Sequence, residues 1–142
     1  MRFWDTSAIV PLLIREASSD AMVDLIHADS SIGVWWGTEI ECLSALARRE
    51  REGKMSRIDV VHAESGLRNI LEGALEVIPS MEVRRHARRL LMTHPLRAAD
   101  ALQLAAALVL AGDEPHDLAM ITLDQNLALC AQREGLQLLP SD

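Results

Sequence analysis

The sequence predicts an α/β fold: a short, mostly parallel central sheet of about five strands, flanked by helices. Three observations carry this. Short strand-like runs (Arg2–Trp4, Ile32–Trp36, Glu76–Ile78, Leu118–Thr122 and Leu136–Leu139) alternate with longer stretches of helical periodicity, the pattern of a parallel sheet joined by crossover helices. The stretch Leu96–Gly112 is built from strong helix formers and is apolar almost all the way round after Asp100, which marks a helix packed on most sides. Of the 142 residues, 49% are hydrophobic, enough for one compact domain spanning residues 1–142. No internal repeat, low-complexity tract or linker divides it.

Taken in order, the strand Arg2–Trp4 ends at Asp5. Thr6 and Ser7 then have the chemistry to cap a helix through Ala8–Ile14, with Pro11 tolerated only near its first turn. Ser18–Ala28 reads as a helix with Ala21, Met22, Leu25 and Ile26 on one face. After the strand Ile32–Trp36, Gly37 breaks the chain and Thr38 opens a helix to about Glu52. Its inward face is read as Ile40, Leu43, Leu46 and Ala47, and its last turn carries Arg48, Arg49 and Arg51, where the helix dipole favours cations. Ser56 and Asp59 have capping-box spacing for a helix reaching about Gly73. Pro79 closes the strand Glu76–Ile78. Ser80 caps a helix with Val83, Ala87, Leu90 and Leu91 inward and Arg84, Arg85, Arg88 and Arg89 outward. Pro95 separates it from the Leu96 helix, which Gly112 ends. The strand Leu118–Thr122 delivers Asp124, and a helix over Leu127–Glu134, stopped by Gly135, leads to the last strand.

The totals exclude several functions. Cys42 and Cys130 are isolated, and the five histidines are scattered, so neither a disulfide framework nor a Cys/His zinc site is expected. No signal-peptide pattern follows Met1, and the Leu96 stretch is too short and too charged for a membrane span, so a cytoplasmic protein is expected. The net charge of −7 argues against non-specific nucleic-acid binding, but neutralising four acids in one site would bring it to about −3. The cations are nearly all arginine, which grips phosphate bidentately.

Four acids carry the chemistry. Asp5 and Asp124 follow strands one and four, where open parallel sheets form their binding crevice, although a loop Asp is often only a turn or cap residue. Asp100 lies in an apolar helix and needs a partner; an ion pair with Arg97 and a bound cation are both open. Glu41 completes a capping box with Thr38, while Glu39 suits the helix dipole, so spacing alone does not choose between them. If Asp5, Glu41, Asp100 and Asp124 converge, they cannot all stay ionised without a cation. Oxygen ligands without Cys or His favour Mg²⁺ or Mn²⁺, which can drive in-line displacement at phosphorus.

Four motifs occur in order: Phe3-Trp4-Asp5-Thr6-Ser7-Ala8-Ile9, Glu41-Cys42-Leu43-Ser44-Ala45-Leu46, Leu96-Arg97-Ala98-Ala99-Asp100-Ala101-Leu102 and Ile121-Thr122-Leu123-Asp124-Gln125-Asn126-Leu127. Together they resemble the PIN-domain family, and in particular the VapC-type toxins of toxin–antitoxin systems. The resemblance spans Arg2 to Leu139. It implies a three-layer PIN-like fold and maps the family's four acids onto Asp5, Glu41, Asp100 and Asp124, which favours Glu41 over Glu39. It implies a Mg²⁺- or Mn²⁺-dependent endoribonuclease with RNA as substrate, a homodimer, and a cognate antitoxin covering the active site. Asp5, Asp100 and Asp124 are then the metal ligands. Glu41 ligates or orients the attacking water, and products carry a 5′-phosphate and a 3′-hydroxyl. Thr6 and Thr122 match positions where the family often keeps a hydroxyl, and Arg97 is divided between pairing with Asp100 and meeting phosphate. The pair Trp35–Trp36 departs from the smaller lead-in of many relatives.

Bland readings stand beside these. The arginines of the Ser80 helix suit a solvated face as well as RNA phosphates, and Trp4, Trp35 and Trp36 suit core or dimer packing better than base stacking. A haloacid-dehalogenase-type phosphatase would need a second Asp two residues after Asp5, where Ser7 stands. A non-catalytic protein or RNA interaction module on the same fold, and a general flap or decay nuclease, are the competing functions.

Overall fold

The computed structural model describes residues 1–141. Five strands, β1 (Arg2–Trp4), β2 (Ile32–Trp35), β3 (Leu75–Val77), β4 (Ala119–Ile121) and β5 (Gln137–Leu139), form one sheet in the order β3-β2-β1-β4-β5. Every pairing is parallel, with Trp4 opposite Ile121, Phe3 opposite Gly33, Trp35 opposite Val77 and Ile121 opposite Leu139. The expectation of a mostly parallel sheet is met by an entirely parallel one. Among the described residues no antiparallel edge occurs, because every connection between strands contains a helix.

Side chains alternate across the sheet, and each face has its own core. Trp4, Ile32, Val34 and Ile121 point to one face, covered by α1 (Thr6–Leu13), α2 (Ser19–Ala28), α3 (Thr38–Arg51) and α4 (Arg57–Glu72). Phe3, Trp35, Val77 and Met120 point to the other, under α5 (Met81–Thr93), α6 (Ala98–Ala111) and α7 (Gln125–Arg133). The result is three layers. Four alanines of α6, Ala101, Ala105, Ala106 and Ala107, have no solvent exposure and keep that helix's buried face thin. Gly33 helps on the strand side, since a Cβ there would meet Leu110 Cδ2 at 2.6 Å. Gly112 ends α6 at φ +65°, a conformation side-chain-bearing residues rarely adopt.

Helix ends follow the sequence closely, with some instructive shifts. Ser56 and Asp59 form the expected capping box, and Ser80 caps α5. The cap of α1 is Asp5 itself rather than Thr6 or Ser7, and α6 begins at Ala98 rather than Leu96. Ile40 is not inward: the buried positions of α3 are Thr38, Cys42 and Leu46, which turns Ile40 to solvent at 64% exposure. Leu91 likewise lies at the edge of the stripe formed by Val83, Ala87 and Leu90 and is exposed. Ile78, expected to end β3, is exposed beyond it.

Leu104, fully buried between α6 and the sheet, is a direct probe of this packing. Leu104→Ala is expected to cost about 2–5 kcal/mol in urea unfolding, while Met92→Ala, on a surface residue, changes stability by less than about 0.5 kcal/mol.

Candidate active site

The chain places β2 and β3 on one side of β1, then crosses back to lay β4 and β5 on the other. The boundary between β1 and β4 is therefore the switch point at which a crevice opens beyond the carboxyl ends of the strands. Asp5 follows β1 there, and Asp124 follows β4 by three residues. The Asp5 N–H donates to Ile121 O at 3.0 Å, which fixes the two strand ends side by side.

Asp5 is 3% exposed and receives three hydrogen bonds, all at Oδ2: from Ser7 N at 3.3 Å, Ser7 Oγ at 2.6 Å and Thr122 Oγ1 at 2.9 Å. Its Oδ1 has no hydrogen-bond partner among the described residues. The hydroxyls are held in turn, since Leu123 N donates to Ser7 Oγ at 2.9 Å and Asp124 N to Thr122 Oγ1 at 3.1 Å. Asp124 caps α7 by accepting from Leu127 N at 2.9 Å.

Glu41 does not form the capping box that Thr38-Glu39-Ile40-Glu41 spells. Gly37 stands at the N-cap of α3 with no side-chain cap bond, where a Cβ would meet the Trp35 indole at 2.5 Å. Thr38 is therefore inside the helix and buried, and Glu41 Oε2 accepts instead from Gln103 Nε2 at 3.0 Å. Asp100 lies in the first turn of α6. The ion pair with Arg97 does not form among the described residues: Arg97 is exposed at the N-cap position, and its charge only weakly favours the Asp100 carboxylate.

Asp5, Thr6, Ser7, Glu41, Asp100 and Asp124 line one open cleft of about 400 Å³, with Val10, Ala45, Glu16, Arg48 and Arg49 around its rim. Thr122 lies behind Asp5, and Arg97 is not among the lining residues. The acids sense one another. Burial raises the Asp5 carboxyl above its ordinary range, against the opposing hydrogen bonds of Ser7 and Thr122. Burial also raises Glu41, opposed by Gln103 and reinforced by the charges of Asp5 and Asp100. Asp100 is raised by burial, then by Asp124 and Asp5. Cys42, the residue after Glu41, has its thiol pushed up to about 12 by burial and these charges, and it packs into the core rather than lining the cleft. The four acids are not drawn tightly together. Among the described residues, the one group of three or more such side chains whose ligand atoms lie within 4.8 Å of one another is Glu114, His116 and Asp117, at an exposed 3₁₀ turn before β4.

The PIN domain family matches this sequence over residues 2–133. The chain belongs to the PIN domain family. Solved structures of similar fold include PAE2754 from Pyrobaculum aerophilum (21% identity, TM-score 0.63, covering 97% of this chain and 83% of that one). A toxin–antitoxin complex from Klebsiella pneumoniae aligns at 17% identity and TM-score 0.63, over 90% and 91% of the two chains. VapC20 of Mycobacterium tuberculosis, a sarcin-ricin loop cleaving toxin, aligns at 15% identity and TM-score 0.68, over 91% and 94%. At these identities the likeness is one of fold. No curated protein matches the sequence.

Within this PIN domain, Gln103, Arg48 and Arg49 lie outside the sequence motifs: Gln103 holds Glu41 from beside the cleft, and Arg48 and Arg49 reach its rim from the last turn of α3, while Ser7, inside the first motif, supplies the shortest bond to Asp5. The signal for the arginines was available: Glu41, Ala45 and Arg48 fall on one helix face at spacings of four and three.

The raised carboxyls have a consequence for stability. A carboxyl whose folded value lies above its unfolded value loses stability as pH rises from about 3.8 through the folded value, and the loss is complete above it. Without added metal, Asp5→Asn is therefore expected to raise the thermal midpoint at pH 7, and the gain is expected to vanish near pH 3.5. An unchanged or lowered midpoint at pH 7 would contradict the burial of a charged Asp5.

Proposed function

We propose that this PIN domain is a Mg²⁺- or Mn²⁺-dependent endoribonuclease and the toxin of a toxin–antitoxin pair. The observation carrying the proposal is that four carboxyl groups face one cleft at the sheet's switch point with no ion pair to Arg, Lys or His among the described residues. Of the two arginines at the rim, Arg49 is already engaged, its Nη2 lying 2.5 Å from Glu16 Oε1. The donor set fits a hard divalent cation: it is all oxygen, and Asp5 keeps Oδ1 free of hydrogen bonds while Oδ2 is locked.

In this reading Asp5, Asp100 and Asp124 hold the ion. Bound there, it supplies Lewis acidity at the phosphate and a water nucleophile at neutral pH. Glu41, held through Oε2 by Gln103, offers Oε1 to orient that water and take its proton. Ser7 and Thr122 keep Asp5 in one rotamer, and Thr6 lines the floor beside it. Arg48, without an ion-pair partner among the described residues, meets an RNA phosphate at the rim. Arg97 has no role in holding the ion.

The substrate and partner classes are taken from relatives in fold, one solved as a toxin–antitoxin complex and one described as a sarcin-ricin loop cleaving toxin. The proposed antitoxin covers the acidic cleft. A homodimer is also proposed. It is supported by an exposed apolar groove of about 670 Å³ between Trp35, Trp36 and α5, lined by Met81, Val83, Leu91 and Leu102. No helix among the described residues is long and apolar enough to cross a membrane.

Purified protein is expected to cleave RNA with Mg²⁺ or Mn²⁺. EDTA should abolish cleavage, and Asp5→Ala should lower it by on the order of a hundredfold or more, since even residues that only support a metal ligand cost about 10–100-fold. Equal cleavage in all three would identify a contaminating nuclease. Metal binding without cleavage of any RNA would favour an interaction module on this fold. For the dimer, Trp36→Asp combined with Leu91→Asp is expected to halve the mass found by sedimentation equilibrium; a monomeric parent would contradict it.

A further inference from the structure

Gln103 interrupts the apolar helix α6 with a side chain that has no solvent exposure. An amide that only filled space here would be replaced by Leu or Met without loss, because a buried polar group stabilises only through its partners. Its partners converge on the cleft. Nε2 lies 3.0 Å from each of Thr6 Oγ1, Thr38 Oγ1 and Glu41 Oε2. Two hydrogens face three acceptors, and the carboxylate is the strongest of them. The two hydroxyls share the remaining hydrogen. One nitrogen thus links α6 to the first turns of α1 and α3. At its other end Gln103 Oε1 is buried with no partner among the described residues. The side chain leaves its own carbonyl unsatisfied while spending its donors on the groups that border the site.

We propose that Gln103 is a positioning residue: its amide locks one oxygen of Glu41 and the Thr6 hydroxyl, so that the second Glu41 oxygen faces the cleft in a single orientation. This rests on the nuclease reading above. Gln103 touches neither substrate nor ion in this account and acts through Glu41.

Gln103→Met keeps the volume and removes the amide. It is expected to lower kcat on RNA about tenfold with KM unchanged, and to weaken Mn²⁺ binding in calorimetry by a smaller but measurable factor, because Glu41 bears on the ion only through the water it orients. In a Glu41→Gln background the same substitution is expected to change neither quantity further, because the two residues act as a unit. Parental kcat and Mn²⁺ affinity in a folded Gln103→Met protein, or effects that add across the two backgrounds, would overturn the proposal. A second measurement uses the parent chain, so that a variant that fails to fold does not decide the matter. In ¹⁵N spectra the Gln103 side-chain amide signals are expected to shift on Mg²⁺ titration with the midpoint seen in calorimetry. Heat of binding with unmoved Gln103 signals overturns the positioning role alone. No heat with either ion overturns the metal site and the positioning role together.

Discussion

Three carboxyl groups, Asp5, Glu41 and Asp100, face one cleft in which burial opposes the ionisation of each, and the neighbouring acids further oppose that of Glu41 and Asp100. Asp124 adds a fourth charge at the edge. A fold selected only for stability would place an arginine among them or replace them. Instead the cations near the cleft are turned to Glu16 or to solvent, and hydroxyls and amides are spent on single oxygens of Asp5 and Glu41. The folded chain keeps these carboxyl groups without a paired cation among the described residues, the setting that the proposed divalent ion would relieve.

The sheet makes this convergence possible. Parallel strands end on the same side, and the order β3-β2-β1-β4-β5 sets the ends of β1 and β4 next to each other although they are more than a hundred residues apart in sequence. The ladder bond from Asp5 to Ile121 then allows Thr122 to reach Asp5 from the neighbouring strand. The helices add the other two acids from opposite faces, Glu41 on α3 and Asp100 on α6. Gln103, one turn beyond Asp100, ties those two faces together across the sheet end.

Much of this was legible in the sequence because it is local. Strand-terminal acids, the Ser56 capping box and the break at Pro95 each depend on residues a few positions apart. The ambiguities were those in which two physical causes spell the same residues. Thr38 to Glu41 reads as a capping box, and only the packing of the Trp35 indole against Gly37 shifts the cap by one residue and frees Glu41. Arg97 has the spacing to pair with Asp100, but it sits before the first helical turn and points to solvent. Periodicity alone also misassigned Ile40 and Leu91, since it fixes which residues share a stripe and not which stripe meets the sheet. The role of Gln103 was out of reach, because Thr6 and Glu41 are brought to it by tertiary structure.

The most direct test of the account is anomalous diffraction from crystals of the protein soaked in Mn²⁺. A manganese peak is expected in the cleft within bonding distance of Asp5 Oδ1 and of the Asp100 and Asp124 carboxylates. A peak confined to the exposed Glu114, His116 and Asp117 turn, with none in the cleft, would contradict it.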